Sequence, residues 1–236
     1  MQTERDASQH TSSTADTIQD VLSSIRNLPA GDDLRLWTPK ARRALRSAGN
    51  IYCIVDQDEK SPEIFIVPKL ALFVASPVLR DSIAFEPDLQ EIHFADVGFT
   101  PAAIGILCYW LNSICNWSSQ AVPRLPCPRD VFVALELRYA AYLLCMDQYV
   151  QSIDLWYCRG VWHRFPCLEE GITMGTYTLG VDDLVLNAWA SRVAYLLHTE
   201  QLSWQYIERL NDELFESEKG KLFHALVRAE AIFHDE

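Results

Sequence analysis

Between residues 51 and 111 the apolar positions switch repeatedly between strand-like and helix-like spacing. Ile51, Tyr52, Cys53, Ile54 and Val55 form a short β-branched and aromatic run. Residues 56 to 62 are polar and turn-forming, and Ile64, Phe65, Ile66 and Val67 make a second apolar run. Two such runs about a polar loop predict a hairpin, although a loop this long fixes the register weakly. Pro68 ends the second strand and suits the first turn of a helix, where a backbone N–H would lack a partner anyway. Leu70, Leu72, Phe73 and Val74 fill that helix. Ser76 and Pro77 repeat the start signal, a hydroxyl cap followed by proline, and Val78, Leu79 and Ile83 continue at helical spacing. Residues 89 to 94 return to strand character. Thr100 and Pro101 open a third helix, with Ile104, Leu107, Cys108 and Leu111 on one apolar face.

The helix expected over residues 130 to 150 is apolar on two sides. Phe132, Leu135, Tyr139, Tyr142, Met146 and Val150 form one stripe, and Ala134, Leu137, Ala141 and Leu144 form another. Such a helix is buried on both faces by its own chain, or offers one face to a partner.

This order of elements resembles a BTB/POZ domain. The resemblance is carried by Phe65, Ile66, Val67, Pro68 and Lys69, by Ser76 to Arg80, by Glu91, Ile92, His93 and Phe94, and by residues 99 to 112. The stretch that follows resembles the elongin C branch of the same superfamily. Its proline-bounded loop (Val122, Pro123, Arg124, Leu125, Pro126) precedes a helix whose residues 134 to 143 read Ala-Leu-Glu-Leu-Arg-Tyr-Ala-Ala-Tyr-Leu. The resemblance spans roughly residues 48 to 150, a fair length for one domain. Many dimeric animal BTB domains line a charged pocket with an Asp before the first strand and a His opening the first helix. Here Gly49 and Asn50 precede the strand and Pro68 stands near the His position. That departure points away from this type of dimer and toward the cullin-adaptor branch, or toward a branch with no known partner. The resemblance implies an α+β BTB/POZ fold. It also implies a pocket for a leucine from a partner helix, lined here by Leu125, Leu137, Ala141, Leu143 and Met146.

Outside that domain, residues 1 to 33 are rich in Ser, Thr, Asp and Gln and are expected to be mostly disordered. Within them Ile18, Val21, Leu22, Ile25 and Leu28 share one helical face, which is either a nascent or self-docked helix or a partner-binding one. Residues 34 to 47 form a linker or short helix opened by Thr38 and Pro39. Arg35, Lys40, Arg42, Arg43 and Arg46 make it basic; a solvated face is the ordinary explanation, and a nuclear-import patch or an acidic docking site is the alternative. Residues 151 to 236 carry three helical stripes and form an all-helical C-terminal extension. The stripes are Val185, Ala188, Trp189, Val193 and Leu196; Trp204, Ile207, Leu210 and Leu214; and Leu222, Leu226, Ala229 and Phe233. Helices this short are marginal alone and must bury those faces.

Composition narrows the function. The chain has 236 residues, 49% of them hydrophobic, and a formal net charge of -12. An acidic chain repels phosphate backbones, so nucleic-acid binding is not expected. Residues 1 to 17 are polar, which predicts no signal peptide, and no apolar run approaches the ~20 residues of a membrane span. Seven scattered cysteines without a Cys-x-x-Cys pair fit reduced thiols in the cytoplasm or nucleus. Phosphate-loop, nucleophile-elbow and zinc-protease motifs are missing from the sequence. Cys158, His163 and Cys167, with Cys145 upstream, match no zinc-finger spacing, and Val161, Trp162 and Phe165 between them read as core. The expectation is a protein-interaction adaptor and not an enzyme, with no cofactor and no metal. In the favoured form it links a substrate receptor helix to a cullin-type ubiquitin ligase; the alternative is a self-associating scaffold without a ligase role.

Overall fold

The computed structural model describes residues 31–57, 60–83, 89–95, 98–180, 182–215 and 220–234. Over these residues the fold is mixed α+β, with ten α-helices and a three-stranded sheet. The amphipathic stretch from Ile18 to Leu28 lies outside the described residues. The chain divides into two compact units, residues 1–126 with 141–149, and residues 127–140 with 150–236.

In the first unit, β1 (Asn50–Gln57) and β2 (Lys60–Pro68) pair antiparallel, from Asn50 opposite Pro68 to Ile54 opposite Ile64 and beyond. β3 (Glu91–Phe94) runs parallel to β1 along its other edge, so the sheet order is β2-β1-β3. A parallel neighbour needs a crossover, and α2 (Lys69–Ala75) and α3 (Pro77–Ile83) lie in that connection. Ile51, Cys53 and Val55 are buried and Tyr52 is exposed, while Ile54, on the same face as Tyr52, is buried as well. All seven residues of α2 are buried, as its apolar circumference demands. Lys69 meets that condition by donating from Nζ to the Leu89 carbonyl at 2.7 Å. The Ser76 hydroxyl accepts from the Leu79 N–H and donates to the Leu144 carbonyl at 2.7 Å, so the cap also ties α3 to a distant loop. α4 (Pro101–Asn116) begins at the Thr100 cap and buries Ile104, Leu107, Cys108 and Leu111, the face its spacing predicts. Trp110 on the same helix packs edge-on against Tyr149, with ring centroids 4.7 Å apart, and donates to the Pro123 carbonyl.

The basic segment departs from a purely solvated face. α1 (Pro39–Ala44) starts at the Thr38 cap as expected, but Arg42 has no exposed surface. Its guanidinium donates to the carbonyls of Trp37, Ile114 and Ser119, the last at 2.6 Å. The C-terminal turn of α4 leaves carbonyls without helical partners, and a guanidinium has five donors to offer them. Arg35 pairs with Asp33 at 2.7 Å, while Lys40 and Arg43 stay exposed.

The second unit takes in the start of α5 (Val131–Leu143), which is capped by the Asp130 carboxylate. Residues 127–140 group with the C-terminal helices in this division. The single helix expected over residues 130 to 150 is corrected. It ends at Leu143, where Cys145 takes a left-handed φ of 53° and the Met146 N–H reaches back to the Ala141 carbonyl at 2.7 Å. That six-to-one bond closes a helix end, a job usually signalled by glycine. A 3-10 turn (Asp147–Tyr149) follows.

Beyond it run α6 (Gln151–Val161), α7 (Leu168–Thr176), α8 (Leu184–His198), α9 (Trp204–Phe215) and α10 (Gly220–His234). Their core gathers Leu168, Met174, Val185, Trp189, Val193, Leu222 and Leu226. Gly171 permits the closest approach, since a Cβ there would stand 2.3 Å from the Trp189 ring. Trp204 is exposed although its spacing put it on the buried stripe of α9, where Leu210 is buried.

Candidate interaction site

One concave surface of the first unit follows from two local facts. Gly105 sits in the second turn of α4, and a Cβ there would lie 2.8 Å from the Phe65 ring of β2. Glycine therefore lets helix and strand approach closely enough for Phe65 to lie against α4. A groove of about 480 Å³ opens beside this contact, lined by Glu63, Phe65, Pro101, Gly105, Ile106 and Tyr109, with Pro126 from the following loop. Tyr109 is 72% exposed at its rim.

β2 is also an edge strand. Pro62 within it has no N–H to offer a further strand, and Asn112 of α4 donates its amide to the Ile66 carbonyl at 2.6 Å. The outward face of the hairpin is apolar: Tyr52 stands opposite Ile66, and Ile66 and Ile64 are both about half exposed. Successive strand residues point to opposite faces, so the groove with its rim tyrosine and the face of Tyr52, Ile64 and Ile66 are two separate apolar surfaces, the groove carrying a single carboxylate, Glu63.

The five residues implied by the BTB resemblance fall differently. Leu125, Ala141 and Met146 of the first unit are buried, Leu137 of the second has no exposed surface, and Leu143 is 37% exposed. The open groove uses none of them. Sequence reasoning missed Glu63, Phe65, Gly105 and Tyr109. The one signal for them was a glycine interrupting an otherwise apolar helix face, a common mark of close backbone approach.

Burial holds most of the thiols away from reactivity, while Cys145 is exposed. All seven cysteines are free. Burial pushes the Cys115 thiol up to about 11 and raises Cys127, Cys158 and Cys167 as well. A protonated thiol is a poor nucleophile and a poor metal ligand. Cys158 donates to the Leu184 carbonyl, Cys167 lies 3.4 Å from the Glu170 carboxylate, and His163 is exposed. Among the described residues no three His, Cys, Asp or Glu side chains converge as a metal site. His93 is exposed on β3, 3.5 Å from Asp56.

Two buried ion networks stand in the second unit. Arg138 bridges Asp154 and Asp183. Glu170 accepts from Tyr157 at 2.7 Å and from both terminal nitrogens of Arg164. Burial opposes ionisation of Glu170 and Asp183, but their arginine partners hold both carboxyls below the usual range. With every charged member paired, both networks read as fold-fixing. Among the described residues no helix is long and apolar enough to cross a membrane. No match was found among protein-family models, curated proteins or solved structures.

Proposed function

We propose that this chain is a protein-interaction adaptor of BTB/POZ type. It links a substrate receptor to a cullin-type ubiquitin ligase by receiving a partner's apolar side chains in a groove. The observation that carries the reading is the element order of the first unit. A strand hairpin is followed by two short helices, a third strand parallel to the first, and an amphipathic helix opened by Thr100 and Pro101. That is the order the sequence resemblance implies. The apolar groove beside β2 and α4 favours binding, and burial raises the thiols of Cys115, Cys127, Cys158 and Cys167.

The test is co-purification of a cullin with the tagged full-length chain, repeated with Tyr109→Asp. Tyr109 is exposed, so its replacement leaves the fold intact while placing a charge at the groove rim. Cullin recovery with the wild type and its loss with Tyr109→Asp supports the reading. If no cullin is recovered while light scattering finds oligomers, the ligase link is replaced by the self-associating scaffold.

A further inference from the structure

We propose that the exposed face of α6 and the loop after it form a second binding surface, on the second unit, for an acidic peptide segment with apolar anchors. Leu155, Trp156, Arg159 and Trp162 occupy positions i, i+1, i+4 and i+7, and Trp162 keeps helical backbone angles at the C-cap. All four therefore lie on one face, and all are exposed. Phe165, 61% exposed, follows in the loop. Trp and Arg are the side chains that most often dominate binding energy, and here they share one helix face.

The charge of this surface selects its occupant. The whole chain carries -12, yet residues 155 to 168 contain two arginines, a histidine and no Asp or Glu. Arg192 of α8 joins them: its guanidinium stands 6.0 Å from the centre of the Trp162 ring and 5.4 Å from that of Tyr195. Its Nε donates to the Arg164 carbonyl at 3.2 Å, which fixes it beside the loop. Among the described residues neither Arg159 nor Arg192 has a carboxylate partner, while Arg164 spends its charge on Glu170. Two unpaired guanidinium groups next to Trp162 and Phe165 ask for carboxylates spaced between apolar side chains. A nucleic-acid strand or a lipid headgroup layer meets the same cations but must approach against the field of the acidic chain. A short acidic peptide brings few charges and can lay apolar side chains on the parts of Trp156, Trp162 and Phe165 that face water. This inference does not depend on the BTB reading of the first unit.

The experiment selects binders from a random-peptide display library on the full-length protein. Selected peptides are then titrated by fluorescence polarisation against wild type, Arg159→Glu, Phe165→Ser and Tyr109→Asp. The replaced side chains are exposed, and circular dichroism checks each fold. The expected peptides alternate Asp or Glu with Phe, Leu or Trp and bind less tightly as salt rises. Arg159→Glu and Phe165→Ser each weaken them about tenfold, the loss typical of removing an anchor, and Tyr109→Asp leaves them unchanged. Peptides without acidic residues, or equal binding to wild type and Arg159→Glu, overturn the proposal. If Tyr109→Asp alone abolishes binding, the groove of the first unit is the peptide site and this inference fails while the adaptor reading stands. Two further arms also overturn it. In one, Arg159→Glu abolishes binding of a single-stranded oligonucleotide or phosphatidylserine vesicles while no acidic peptide is selected. In the other, Arg159→Glu dissolves a wild-type dimer seen by sedimentation, which makes a second copy the occupant.

Discussion

Arg138 grips Asp183 with two parallel hydrogen bonds, at 3.0 and 2.9 Å, and neither side chain reaches solvent to any extent. The same aspartate caps α8 by accepting from the Val185 and Leu186 N–H groups, and it also accepts from Thr178 and Leu179. One carboxylate thereby orients a helix start, a loop and a helix that lies 45 residues earlier. Asp183→Ala removes the cap and leaves a buried guanidinium short of negative charge. Breaking such a pair from one side costs about 3–5 kcal/mol. Urea denaturation followed by tryptophan fluorescence, which reports on buried Trp189, should show that loss.

The same carboxylates set an acid limit. Asp183 and Glu170 have folded-state values below those of the unfolded chain. Their stabilisation is therefore complete above the unfolded carboxylate range and is lost as pH falls through the lower folded values. Thermal melts should be flat near neutral pH and fall on the acid side. Asp183→Asn should lower stability at neutral pH and flatten that acid slope; an unchanged slope would assign acid sensitivity to other groups.

Arg42 offers a different kind of test, because it is buried against carbonyls instead of carboxylates. Arg42→Met keeps the aliphatic stem and removes the donors. Removing the buried donors from the Trp37, Ile114 and Ser119 carbonyls should cost about 1–3 kcal/mol. Lys40→Met, at an exposed position of the same helix, should be close to neutral. Paired melting curves on the two variants check the contrast.

Ala141 has no exposed surface. Ala141→Trp should then overpack its surroundings and cost about 1–3 kcal/mol. A melting temperature that holds steady while a partner is lost would instead mean that the residues around Ala141 open to receive a side chain.

Much of the first unit is legible from local chemistry. Thr38, Ser76 and Thr100 each precede a proline, and each accepts the capping N–H that this spelling predicts. The strand run from Ile51 to Val55 and the helical face of Ile104, Leu107, Cys108 and Leu111 also hold. What escaped was long-range or unsigned. Arg42 reads as one more surface cation until Ile114, 72 residues away, supplies its carbonyl. Arg138 looks like a helix-surface residue until Asp154 and Asp183 are known to meet it. The break after Leu143 lacked a glycine to announce it, since Cys145 takes the left-handed position. The groove depends on Gly105 meeting Phe65, and neither residue alone predicts the other.

The division of the chain has a consequence for its history and handling. Residues 127–140 belong to the second unit, yet residues 141–149, which come later, belong to the first. The two bodies are interleaved along the chain like two hands dealt alternately, so no single cut yields both intact. A ribosome finishes the first only after it has begun the second, and a protease that nicks between residues 140 and 141 severs a piece from each. Recombination at one point therefore cannot transplant either one alone.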